Sequence, residues 1–285
     1  MRISIIGLGL IGGSIGLALK KADWKQAEII GYARRKEIAS LAKKIGAVDR
    51  VELDLSSAVK KTDLVVVATP ILTVKDIFSR IAPHLSDGCI VTDTASTKLE
   101  VMKWAEQLLP PESDFIGGHP MAGKETSSIK AATADLFFNC TYCLTPLPKT
   151  SDTSTHVVED MIRALGARPL IIEAEEHDSL VAGISHLPLV LSVALVLATT
   201  ENPSWPKMSL LAASGYRDLT RLASGNPEVS AHILHSNQAA IIAWIDTFIE
   251  ELQKLRKLVK DGSEDIEQVL ALANQARQKW LEKRF

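Results

Sequence analysis

A parallel α/β sheet followed by an all-helical half is the fold class that this sequence predicts, and three observations predict it. Short apolar or β-branched runs alternate with helical stretches over residues 1–174. A glycine-rich turn, Gly7-Leu8-Gly9-Leu10-Ile11-Gly12, follows the first run directly and opens a helix. Beyond Glu175 no convincing strand remains.

Arg2 to Ile6 is a β-branched run that stops at Gly7, and the pattern from Leu10 to Lys20 is helical. EIIGYA (Glu28 to Ala33), LVVVATP (Leu64 to Pro70), CIVTDT (Cys89 to Thr94) and FIGG (Phe115 to Gly118) each end in small or turn residues. Helical composition separates them, as in Lys75 to Ile81 and Lys98 to Leu109. This alternation implies βαβ units and a parallel sheet covered on both faces. TYCLTP (Thr141 to Pro146), a helix near Thr155 to Leu165, and RPLIIEA (Arg168 to Ala174) read as the last additions to that sheet.

Val181 to Ala198, Met208 to Leu222, Val229 to Val259 and Ile266 to Lys283 all favour helix. A domain boundary is therefore expected near Ala174, dividing a dinucleotide-binding domain, 1–174, from a helical domain, 175–285. The apolar run Leu180 to Ala198 has the length of a membrane span, 19 residues, but holds Ser185, His186, Pro188 and Ser192 and has no lysine or arginine nearby. It reads as a helix buried all round in a globular core, with no membrane association. So apolar a helix needs a partner surface, and a homodimer with intertwined helices is the simplest answer.

Composition narrows the function. The charged fraction is 23% and the net charge is −2, the balance of an ordinary soluble protein and not of a nucleic-acid binder. The only cysteines, Cys89, Cys140 and Cys143, are too few for a disulfide framework, which points to a reducing, cytoplasmic setting. The opening MRISIIGLGL is not read as a signal peptide, because its glycines lead straight into a structured pattern.

The turn from Gly7 to Gly12 is GxGxxG in its proper strand-turn-helix setting, where a dinucleotide's pyrophosphate sits at the helix N-terminus. The end of the second strand usually carries an acid that binds the ribose of NAD. Here Ala33 is followed by Arg34 and Arg35, whose guanidinium groups suit a 2′-phosphate, so NADP is the expected cofactor and NAD the lesser one. Ligands of an open parallel sheet bind at the carboxyl ends of its strands. That edge is predicted to carry the glycine turn, Thr69 and Pro70, the stretch from Thr94 to Lys98, and Gly117-Gly118-His119-Pro120. His119 is thereby a candidate for chemistry, set between glycines that permit close approach and a proline that stiffens its backbone.

GLGLIGGS at the N-terminus, GGHPMAG (Gly117 to Gly123), ISHLP (Ile184 to Pro188) and SGYRDLTR (Ser214 to Arg221) together resemble the prephenate/arogenate dehydrogenase family of tyrosine biosynthesis. The resemblance implies a Rossmann domain followed by a helical dimerisation domain. It also implies oxidative decarboxylation of a cyclohexadienol, prephenate or arogenate, with hydride passing to the nicotinamide. On the same resemblance His119 takes the proton of the ring hydroxyl, Ser96 bonds that hydroxyl and orients His119, His186 contacts substrate from a helix break at Pro188, and Arg221 binds a substrate carboxylate. Asp218, three residues before Arg221, would hold or gate that arginine. The sequence does not distinguish prephenate from arogenate, and with nothing after Phe285 no fused regulatory or chorismate mutase domain is expected.

His177, Asp178 and His186 match no familiar ligand spacing, so no metal is expected, and Cys140-Thr-Tyr-Cys143 is a CxxC by spelling only. Two alternatives remain. One is a Rossmann dehydrogenase of the β-hydroxyacid type, disfavoured because no lysine occurs from Arg168 to Pro206. The other is a dinucleotide-binding sensor without catalysis, which has no need of a histidine, a serine and an arginine beside the nicotinamide.

Overall fold

A computed structural model describes residues 1–123 and 128–284. Eight strands form one sheet: β1 (Arg2–Ile6), β2 (Glu28–Tyr32), β3 (Arg50–Glu52), β4 (Leu64–Val67), β5 (Ile90–Asp93), β6 (Asp114–Pro120), β7 (Thr141–Pro146) and β8 (Arg168–Ile171). Their order is β3-β2-β1-β4-β5-β6-β7-β8, so the chain's direction across the sheet reverses between β1 and β4. Helices α1 (Leu10–Lys21), α2 (Lys36–Lys44), α3 (Leu55–Val59), α4 (Ile71–Ile81), α5 (Leu99–Leu108) and α6 (Asp152–Ala164) connect or cover the strands. One face of the sheet packs Ile3, Ile5 and Ile116 into a core with Ile15 and Leu19 of α1; the other packs Ile6, Val65 and Val91 with Phe78 and Val101. Every residue of β4 and β5 is buried, the pattern of strands covered on both faces.

The sheet departs from the predicted all-parallel arrangement at one place. β7 runs antiparallel to β6, and β8 is again parallel to β7. Parallel neighbours require a crossover, usually a helix. Between Pro120 and Thr141 the described residues hold only a 3-10 turn, Ile129–Ala131. The antiparallel ladder also lengthens β6. Its pairing with β5 ends at Thr92–Ile116, whereas its pairing with β7 continues through His119–Cys143 and Pro120–Tyr142. His119 therefore ends a strand instead of lying in the loop after it. β3, only three residues long with charged ends, was not expected either.

After β8 the chain is helical: α7 (Ala174–Val181), a π-helical stretch (Ala182–His186), α8 (Leu187–Thr200), α9 (Trp205–Leu211), α10 (Ser214–Thr220), α11 (Pro227–Ser236), α12 (Gln238–Asp261) and α13 (Ile266–Arg284). The break expected at Pro188 is instead this π-helical widening. Proline lacks an N–H and its ring collides with the carbonyl four residues back, and the wider turn, with Leu187 N donating to Ala182 O, relieves that conflict without ending the helix. Nor is the apolar helix buried all round. In α8 only Leu187 and Ser192 are buried, while Ile184 is 73% and Leu197 51% exposed. The run Ala174–Thr200 is long and apolar enough in composition to cross a membrane. The chain divides into two compact units, Met1–Gln238 and Ala239–Phe285. The second carries exposed apolar residues on both of its helices, among them Leu252 and Val259 on α12 and Leu270 and Leu272 on α13.

Candidate active site

The glycine turn has the geometry that close approach of a phosphate requires. Gly7 sits at φ +101°, where a side chain is strained, and a Cβ there would lie 2.5 Å from the Ala68 carbonyl oxygen. A Cβ on Gly12 would collide with the Gly7 carbonyl oxygen. Gly9 caps α1 without a side-chain hydrogen bond, so the first-turn N–H groups remain open for an anion. The side chains of Leu8 and Leu10 are buried, which leaves only their backbone to face a ligand. Ile11 lies half-buried in the first turn. Thr69 borders Gly7 across the β1–β4 reversal, where open α/β sheets bind ligands, and Pro70 begins α4. Arg34 and Arg35 are exposed between β2 and α2.

On β6, three strands along the sheet from β1, a hydrogen-bonded chain runs through His119. Its Nδ1 is 2.9 Å from His177 Nε2, and His177 Nδ1 is 2.8 Å from Asp178 Oδ1. Asp178 also accepts from the backbone N–H groups of Lys98 at 2.7 Å and Leu99 at 2.9 Å, capping α5 from a distant helix. All three side chains are buried. Among the described residues, none hydrogen-bonds to His119 Nε2. Burial drives the His119 imidazole well below its ordinary 6.5, and His177, Lys98 and His186 push the same way, which favours the neutral ring.

The strand end that carries His119 is clamped from below. Asp93 Oδ1 accepts from Gly118 N at 3.0 Å; Asp93 Oδ2 accepts from Ala95 N at 2.7 Å and from Lys98 Nζ at 2.5 Å. Lys98 Nζ also donates to Gly118 O at 2.6 Å. Both side chains are wholly buried, and burial draws the Lys98 ammonium below 10.5 against the pull of Asp93. This clamp corrects the role expected of the two glycines. A Cβ on Gly117 would strike Met102 Sδ at 2.7 Å, and one on Gly118 the Asp93 carbonyl oxygen at 2.5 Å, so they clear space for protein atoms.

His186 lies at the end of the π-helical stretch, close enough for its charge to bear on His119. Asn237 donates from Nδ2 to the Asp178 carbonyl at 2.7 Å, which turns its amide nitrogen toward His186 Nδ1 at 3.3 Å. His186 therefore carries its proton on Nε2, a buried donor without a partner among the described residues. Burial lowers its pKa to about 4. Ser96 is half-buried in the loop between β5 and α5, and makes no hydrogen bond to His119. Arg221 begins the 3-10 turn Arg221–Ser224, which is tied to α8 by Ala223 N donating to Ser192 Oγ at 2.9 Å. Asp218 lies 3.7 Å from its neighbour Arg217, both exposed.

Asp93, His177, Asp178 and Asn237 were not singled out from sequence as parts of this site, and Lys98 only as the end of the stretch from Thr94 on the ligand edge. The readable signals were an aspartate ending the short β-branched strand Ile90–Asp93, and a His-Asp pair just before a run of apolar character.

A glycine turn at the strand reversal and a neutral buried base on the same sheet edge are what a nicotinamide-dependent dehydrogenase requires. Residues 15–171 match the family model for the prephenate dehydrogenase nucleotide-binding domain, and residues 173–275 that for the prephenate dehydrogenase dimerization domain. The chain belongs to the prephenate dehydrogenase family. It is 36% identical to prephenate dehydrogenase of Bacillus subtilis over 90% of this chain and 70% of that one. The crystal structure of Synechocystis arogenate dehydrogenase is 32% identical and superposes with a TM-score of 0.84, over 98% of this chain and 100% of that one. Prephenate dehydrogenase from A. aeolicus, in complex with hydroxyphenyl propionate and NAD+, is 26% identical with a TM-score of 0.90, over 98% of each.

Proposed function

We propose that this chain oxidatively decarboxylates prephenate, arogenate or both, in tyrosine biosynthesis, as a cytoplasmic homodimer that prefers NADP to NAD. The observation that carries the reading is the neutral, buried His119, with Nε2 open on the sheet edge that holds the glycine turn. The names of its relatives supply the substrate class: a cyclohexadienol whose ring hydroxyl needs a base and whose side chain ends in a carboxylate.

Backbone N–H groups from Gly9 to Gly12 would hold the dinucleotide's pyrophosphate, Thr69 and Pro70 would line its crevice, and Arg34 and Arg35 would bind a 2′-phosphate. When bound, the nicotinamide accepts the hydride. His119 Nε2 takes the hydroxyl proton as that hydride leaves, and Ser96 orients the hydroxyl. His186 offers its Nε2–H to the substrate, and Arg221 binds the carboxylate, with Asp218 governing that helix end. The apolar faces of α8, α12 and α13 suit burial against a second copy, and the domain division is proposed at Ala174.

One assay addresses the whole reading: purified protein with NADP or NAD, offered prephenate and arogenate separately, followed by reduced nicotinamide. No turnover with either substrate refutes it. His119→Asn should bind cofactor normally and lose about 10²–10⁴ in rate.

A further inference from the structure

We propose that His177 is a relay: the proton that His119 takes from the substrate displaces the one on its far nitrogen, which comes to rest on His177 beside Asp178. The inference deepens the dehydrogenase reading and rests on it. Nothing in that reading requires His177, yet the hydrogen bonds leave each member of the chain only one role.

Asp178 accepts from Lys98 N, Leu99 N and His177 Nδ1, which is the behaviour of an ionised carboxylate. His177 thus carries its proton on Nδ1 and a lone pair on Nε2. Across 2.9 Å, His119 Nδ1 must be the donor to that lone pair. His119 Nε2 is consequently bare, which is the form a base needs. The rings meet edge to face, their centroids 5.1 Å apart.

The step conserves every proton. The substrate O–H bond breaks, its electron pair forming the new carbonyl, and an Nε2–H bond forms on His119. The Nδ1–H bond of His119 breaks and an Nε2–H bond forms on His177. His119 ends neutral with its tautomer exchanged, and His177 ends as an imidazolium against Asp178. That destination matters because His119 is a poor one: it is buried, touches no carboxylate among the described residues and faces the Lys98 ammonium. Among the described residues, Asp93, Lys98, Asp178 and neutral His186 stand around the two rings, with the Cys143 thiol beside Lys98. The two carboxylates and one ammonium of that set leave one negative charge, and a single relayed proton neutralises it. After product leaves, the reverse hop returns the proton through His119 to solvent.

His177→Gln separates relay from mere support, because an amide oxygen can accept from His119 Nδ1–H but cannot take its proton. In the enzyme with cofactor and substrate, kcat should fall about 10²–10³-fold, while KM and cofactor affinity stay within about threefold. A kcat within about threefold of the parent, or a KM that rises in step with the loss of kcat, overturns the relay. Should the variant fail to fold, ¹⁵N NMR of the histidines in the parent protein reads the tautomers directly. A proton on Nδ1 of both His119 and His177 is expected, and one on Nε2 of neutral His119 overturns the proposal. A parent protein inert toward both substrates would sink the dehydrogenase reading instead, and the tautomers are measured without turnover.

Discussion

Replacing Lys98 with methionine removes the only ammonium from the clamp under His119 while keeping most of the side chain's bulk. Asp93 would retain its hydrogen bonds from Gly118 N at 3.0 Å and Ala95 N at 2.7 Å, but would lose its counter-charge at 2.5 Å in a site with no exposure. The Gly118 carbonyl would lose its donor at the same time. Stranding one partner of a buried ion pair costs about 3–5 kcal/mol. For a domain of this size, 1 kcal/mol moves Tm by about 2–4 °C, so Lys98→Met should melt about 6–20 °C lower. Asp93→Asn combined with Lys98→Met removes both charges and should recover more than half of the loss. Thermal and urea unfolding of the parent and both variants, at one protein concentration, measure it. A single variant that melts within about 2 °C of the parent, or a double variant worse than the single, would show that the pair does not hold this strand end.

Other expectations follow from the same geometry. Arg34→Ala with Arg35→Ala should raise KM for NADP about 10–100-fold and leave that for NAD nearly unchanged; equal effects on both would remove the 2′-phosphate argument. Gly12→Ala, whose methyl would meet the Gly7 carbonyl oxygen, should weaken binding of either dinucleotide by at least about tenfold in a fluorescence titration, with little change in helix content. His186, held near 4 by burial against 6.5 when unfolded, binds fewer protons folded than unfolded between those values, so stability must fall as pH drops through 6.5. From pH 7 to 5 this amounts to about 2 kcal/mol, which urea melts of the parent should show and His186→Gln should largely lack.

The glycine turn was legible because its meaning is local: spacing, strand before, helix after. His119 was legible as a member of the ligand edge for the same reason. Its surroundings were not. Lys98 and Asp178 meet across 80 residues and Asn237 reaches back 59 to Asp178, and no pattern along the chain foretells such meetings. The reversed direction of β7 escaped notice because a short buried run looks the same in either direction; the lack of a helical pattern between Pro120 and Thr141 was the available signal. The apolar helix was read as a core element because composition records what must be covered and not which chain covers it. The π-helical stretch escaped because Pro188 announces trouble for a helix without saying how the backbone resolves it.

The one-sided stitching of β6 divides labour around the reacting atoms. Past Thr92 the strand has lost its neighbour on the β5 side, while β7 holds it through Pro120. One flank of the strand end is therefore held by a continuous ladder, and the other only by two buried side chains, Asp93 and Lys98. A change at either of those two residues would loosen the His119 end of β6 on one side while β7 still held it on the other.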